Sequence, residues 1–249
     1  MFRLLKLKPP HGWNAVGWEL GIVTLGVVIA LAAQQWAENL SWSSKVGATK
    51  RALRAELQEH YGYAVEFRAV YPCLQAQLDQ LRNRVLSSRS VLEPAPVYSE
   101  ESFHYVLRLP SKVYPNDAWV AAVDDGTVRS LDQPTRRLLA GHYGQLPEMA
   151  ELLSAMNTIE PGLVALTHPL PLDPTVRYLI VKDIEQLRGR LEYLDLINGQ
   201  VIDYVTRVGM LPPAQDAVAV TQRYGTYQFC KKHRLPLRPF TQAMRPVPN

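Results

Sequence analysis

Residues 15–33 read AVGWELGIVTLGVVIALAA, nineteen positions whose only formal charge is Glu19. At about 1.5 Å of rise per residue such a helix nearly crosses a hydrocarbon layer of about 30 Å, and extension through Gln34 to Ala37 completes the span. Trp13 and Trp18 stand at one end and Trp36 and Trp42 at the other, where indole rings settle among lipid headgroups. Arg3, Lys6 and Lys8 precede the apolar run, while Lys45 is the only basic residue between Gln34 and Thr49. The positive-inside bias therefore expects a cytoplasmic N-terminus and a main domain on the far side. A cleaved signal peptide is the competing reading, because Ala30-Leu31-Ala32 resembles a small-x-small cleavage site. A buried core helix is a third, disfavoured by apolar residues on every side.

Two features of the span invite function. Glu19 is an intramembrane carboxylate, but it lies about one turn inside the end, where it can reach the headgroups or pair with Lys8. Gly17 and Gly21, then Gly26 and Ala30, offer small residues at a spacing that lets a second helix approach, so self-association through this face is an expectation.

Beyond the span, Leu53, Leu57, Tyr61, Ala64, Phe67, Tyr71, Leu74, Leu78, Leu81 and Val85 recur every three or four residues, the period of a long helix that Pro72 should kink without ending. A second long stripe runs from Val176 to Val208, opened by Asp173 and Pro174 and closed by Gly209, Pro212 and Pro213. Shorter helices are predicted at 100–109, 116–123 and 132–156, and no alternating run argues for a sheet. The expected fold is therefore all-α: a transmembrane helix, then two long antiparallel helices with short helices packed beside them. The expected divisions are a cytoplasmic tail at 1–13, the span at 14–37, a helical soluble domain at 38–234 and a loose C-terminal tail at 235–249.

The chain has 249 residues, a net charge of +4 and 47% apolar residues. That suits one globular domain plus an anchor and is too weakly basic for nucleic acid. Only Cys73 and Cys230 are present, so there is no CxxC and no metal-ligand spacing. In an oxidising compartment the two could form a bridge pinning the C-terminal segment to the long helix; two unpaired buried thiols are the alternative. The six histidines form no HxxxH or HExxH, and no GxSxG elbow or Gly-rich phosphate loop occurs. Glu56 and His60 share a helix face, a pairing that usually decorates a solvated surface. The densest basic run, Lys231, Lys232, His233, Arg234 and Arg238, reads as exposed, with contact to anionic headgroups or an acidic partner as the functional option.

Trp18-Glu19, Ile22-Val23, the run from Gly26 to Leu31, Gln35 and Glu38 resemble the anchor of a group of bacterial single-pass membrane proteins with no assigned activity. Asp117-Ala118-Trp119, Gly126, Leu131 and the stretch from Leu138 to Tyr143 are similar to that group's helical domain. The resemblance implies a single N-terminal membrane helix followed by a helical exported domain, and carries over no catalytic residue; with the flanking charges, the location expected is the bacterial inner membrane with a periplasmic domain. The function expected is a non-enzymatic scaffold or protein-interaction module, with membrane lipid and a protein partner or a second copy as its contacts and no cofactor. The alternative is a small-molecule-sensing domain with a pocket lined by Tyr105, Trp119, Tyr143 or Tyr178.

Overall fold

A computed structural model describes residues 12–100 and 103–247. Arg3, Lys6 and Lys8, on which the orientation reading rests, lie outside them. The chain divides into two compact units, residues 1–50 and 51–249. Its first element, α1, is a helix of 76 residues, Gly12–Ser87.

In the first unit, α1 carries an 18-residue window of mean hydropathy 2.0, none of it buried. Val23, Leu25, Ile29 and Leu31 are each at least 60% exposed. A core helix of a soluble fold would be covered, so that reading is excluded. Among the described residues there is thus one apolar helix of membrane-spanning length, near the N-terminus and compatible with an anchor.

Among its described residues the second unit is all-α apart from four very short strands. After α1 come β1 (Val91–Leu92), β2 (Tyr98–Glu100) and β3 (Phe103–Tyr105), then α2 (Asp117–Asp124) and α3 (Gln133–Ile159), separated by a 3-10 turn. A second 3-10 segment and β4 (Leu170–Pro171) lead into α4 (Pro174–Val208), followed by α5 (Ala214–Thr221), α6 (Gly225–Lys232) and α7 (Phe240–Ala243). β1 pairs antiparallel with β4, and β2 with β3.

Where a helix of residues 100–109 was predicted, the chain forms the β2–β3 hairpin and Val106 and Leu107 turn into the core. Tyr98, His104, Tyr105 and Val106 supply the aromatic and β-branched character that suits a strand, and the helical reading undervalued it. Helix α1 continues through Pro72 and α3 through Pro147. Elsewhere the caps behave as expected: Asp132 Oδ1 accepts from Thr135 N–H at 2.9 Å, Asp173 Oδ1 accepts from Val176 N–H at 2.8 Å, and Gly209 closes α4 with φ 74°.

The two long helices run antiparallel. Arg177 of α4 binds the carbonyls of Val85, Ser88 and Arg89, Arg188 meets Gln75 and Asp79, and Asp195 meets Arg68, so the number rises on one helix as it falls on the other. Between them lie two apolar clusters. One holds Leu74, Leu78, Leu187, Leu191 and Phe229; the other holds Leu57, Val65, Leu139, Ile197 and Val201. Every one of these ten side chains is at most 2% exposed, and burying each stabilises the fold by about 1.5–3 kcal/mol.

The C-terminal segment is not the loose tail expected from its prolines. Arg238 N–H donates to the Ala69 carbonyl at 2.8 Å, and Val247 N–H to the Gly199 carbonyl at 3.0 Å. The Arg238 guanidinium grips both oxygens of Asp195, at 2.8 and 3.1 Å, while Arg68 binds the Arg245 carbonyl. Prolines stop regular structure, but they do not prevent a segment from docking through its remaining amides and side chains.

Candidate functional site

Four side chains of acid–base type meet inside the second unit. Glu56 and His60 project from α1, one turn apart, and His142 and Tyr143 from α3. Glu56 is 8% exposed, Tyr143 5%, and both histidines 0%; the solvated surface expected for Glu56 and His60 is therefore wrong. Helix periodicity assigned them a face but could not say what would later cover it, and α2 and α3 do.

Glu56 Oε2 accepts the Ala118 N–H at 2.9 Å, and Oε1 accepts the Tyr143 hydroxyl at 2.5 Å. Asn116, the cap residue of α2, makes no side-chain capping bond. Glu56 thus caps α2 from another helix, satisfying an amide that would otherwise be orphaned and setting a carboxylate against the positive end of the dipole. Burial, and then the adjoining Glu56, push the pKa of the Tyr143 hydroxyl far above its ordinary value, so it stays protonated and remains a donor. Trp119 of α2 stacks on the Tyr143 ring at 5.1 Å, with 5° between planes.

The histidines form a chain with a single self-consistent arrangement of hydrogens. The Pro115 carbonyl, 2.7 Å from His60 Nε2, can only accept, so Nε2 carries the hydrogen. His60 Nδ1 then accepts, and His142 Nε2, 2.7 Å away, must donate. That leaves His142 Nδ1 as a buried lone pair with no partner. Burial holds His60 down to about 4, against smaller opposing pulls from the Pro115 carbonyl and Glu59; burial and the neighbouring ring hold His142 low as well. Both rings are neutral at pH 7.

A second glutamate of α1 repeats the capping theme less completely. Glu66, 1% exposed, faces the first turn of α6, yet neither carboxylate oxygen completes a hydrogen bond. Burial raises its carboxyl to about 7, against the pull of Lys112, the Tyr227 and Thr226 amides and Arg108. Two turns on, Cys73 is joined to Cys230 of α6, with Cα atoms 6.0 Å apart and both residues fully buried. Helix α6 therefore lies along α1, with its first turn at Glu66 and its last at Cys73.

Among the described residues, recesses on the surface are lined by other side chains. A groove of about 560 Å³ sits between the C-terminal end of α1 and the returning chain, bounded by Gln77, Gln80, Asn83, Ser87, Glu93 and Tyr98 among others. An open, more apolar recess of about 660 Å³ lies between α5 and α7, lined by Ala214, Val218, Phe240 and Met244 among others. A cavity of about 20 Å³ beside Tyr114, Lys112 and Asn198 has room for one water.

No family model, curated protein or solved structure matches the chain.

The residues singled out in the sequence are distributed as follows. Space is open around Gly17, Gly21 and Gly26, and Ala30 and Glu19 are exposed. Of the four aromatics proposed to line a sensing pocket, Trp119 and Tyr143 meet each other, Tyr105 lies under the Arg108 guanidinium, and Tyr178 is 66% exposed on α4; they do not form a common pocket. Within the basic run, Lys231, Lys232 and Arg234 are exposed, whereas Arg238 is committed to Asp195 and to the face of Tyr71. Glu66 and His142 were missed. His142 carries no local motif, and Glu66 has only the signal of a carboxylate on the same stripe as Cys73.

Proposed function

We propose that this chain is a single-pass envelope protein whose exported, disulfide-clamped helical domain works as a non-enzymatic scaffold or protein-interaction module. One observation carries this reading: the acid–base cluster of Glu56, His60, His142 and Tyr143 is sealed in the core and spent on helix capping and on its own hydrogen bonds. A reaction centre needs such groups within reach of a substrate. These face the core, while the large recesses are lined by other residues.

The Cys73–Cys230 bond supports export, because such bonds persist in oxidising compartments and are reduced in the cytosol. With the apolar helix as anchor, a bacterial inner membrane, a cytoplasmic N-terminus and a periplasmic domain follow from the flanking charges and the resemblance to bacterial single-pass proteins. Exposed Tyr178, Leu179, Tyr193 and Leu196 on α4 give the domain apolar surface for a protein contact.

The test is purification of the full chain in mild detergent after crosslinking in cells. A stoichiometric protein partner, or a defined homo-oligomer, is expected. A monodisperse monomer that carries only a small metabolite overturns the proposal in favour of sensing.

A further inference from the structure

We infer that the groove at the C-terminal end of α1 is a binding site for a neutral saccharide. Its volume of about 560 Å³ falls within the range of small-molecule sites, about 300–1,000 Å³. The floor is preformed. Leu81 and Val106 are each 4% exposed, and Gln77 is 1% exposed with its Oε1 accepting the Arg108 N–H at 2.9 Å. The far wall is tied down as well: Arg84 Nη1 donates to the carbonyls of Glu93 and Pro94, at 3.3 and 3.1 Å.

The lining selects the ligand class. A sugar hydroxyl both donates and accepts, and so do primary amides and serine hydroxyls. Asn83 is exposed at the rim, and Gln80 accepts from the Tyr98 hydroxyl at 3.4 Å, which leaves its NH2 group to donate. Ser87 Oγ donates to the Arg84 carbonyl and keeps its lone pairs for a ligand. The Tyr98 ring, set edge-on to Phe229 at 5.1 Å, adds an aromatic surface for the C–H face of a pyranose. The two ionic groups among the described lining residues, Arg84 and Glu93, offset each other in formal charge, and Arg84 donates to the carbonyls of Glu93 and Pro94, so none of these residues offers an uncommitted cation to a phosphate or carboxylate.

This inference does not depend on a protein partner or on membrane orientation, so its failure leaves the scaffold reading standing, and the reverse holds too. The experiment uses the full chain in a polyoxyethylene detergent, whose headgroup carries no sugar to compete. N,N′-diacetylchitobiose and maltotriose are titrated in turn, with saturation-transfer NMR and calorimetry as readouts. At least one sugar is expected to bind, and Asn83→Leu and Ser87→Trp should each weaken it about tenfold or more, the effect of losing one good hydrogen bond or of plugging the groove. Both substitutions sit on exposed positions, and their unfolding temperatures should match the parent's. Absence of saturation transfer from both sugars overturns the proposal. So does binding that Ser87→Trp leaves unchanged, since the sugar would then sit elsewhere.

Discussion

Replacing Glu66 by glutamine removes a titration that the fold holds out of its ordinary range. In the folded chain the carboxyl sits at about 7, raised by burial from 4.5. Being raised, it stabilises the fold most below pH 4.5; that stability is lost as pH climbs through 7, where the buried side chain must become an anion. At about 1.36 kcal/mol per unit, the displacement corresponds to about 3 kcal/mol between pH 4 and 8. The groups that face Glu66 bound this figure: Lys112 and Arg108 from the loop before α2, the Thr226 and Tyr227 amides of α6, and the hydroxyls of Tyr114 and Tyr224. The assay is urea unfolding of the full chain in mild detergent at several pH values, followed through Trp119, the one tryptophan in the second unit. Parent and Glu66→Gln profiles should converge at low pH, apart from a constant offset, and separate by about 3 kcal/mol by pH 8 in favour of the variant. Taking the difference cancels every other titrating group. Parallel profiles would refute the reasoning.

Reducing the Cys73–Cys230 bond, or replacing both residues by alanine, should lower stability by about 5 kcal/mol in the chain-entropy model for a loop of 157 residues, read as a fall in the urea midpoint. An unchanged midpoint after the thiols are fully alkylated would contradict this. His60 and His142 act with the opposite sign to Glu66. Their depressed values mean that stability is lost as pH falls from 6.5 toward 4, so His142→Gln, whose amide can still donate to His60 Nδ1, should flatten the acid limb seen by near-ultraviolet circular dichroism. Glu56→Ala uncaps α2 and strands the Tyr143 hydroxyl, which together should cost about 3 kcal/mol and alter Trp119 emission as its stacking partner loosens.

The architecture was legible because long helices declare themselves by repetition: the stripes from Leu53 to Val85 and from Val176 to Val208 place Leu57, Leu74, Leu187 and Leu191 in the core as their spacing requires. The hairpin around Tyr98 and Tyr105 was illegible for the opposite reason. Strands of three residues offer no period to read, and here tertiary packing of Val106 and Leu107 decided the outcome. The docked C-terminus was hidden because its attachments, Arg238 to Asp195 and Val247 to Gly199, connect residues 43 and 48 positions apart in a chain read locally. The polar core failed to show for the same reason. His60 and His142 are 82 residues apart, and only the packing of α3 against α1 turns two unremarkable imidazoles into a hydrogen-bonded pair.

The bond between Cys73 and Cys230 encloses the groove's outer wall, α2, α3 and α4 within one covalent loop of 157 residues. A protease that cuts the backbone once anywhere inside that loop, in the β2–β3 hairpin for example, would leave both fragments attached. On a gel the nicked molecule would run as a single band until dithiothreitol separated it into two, and the N-terminal piece alone would retain the apolar helix.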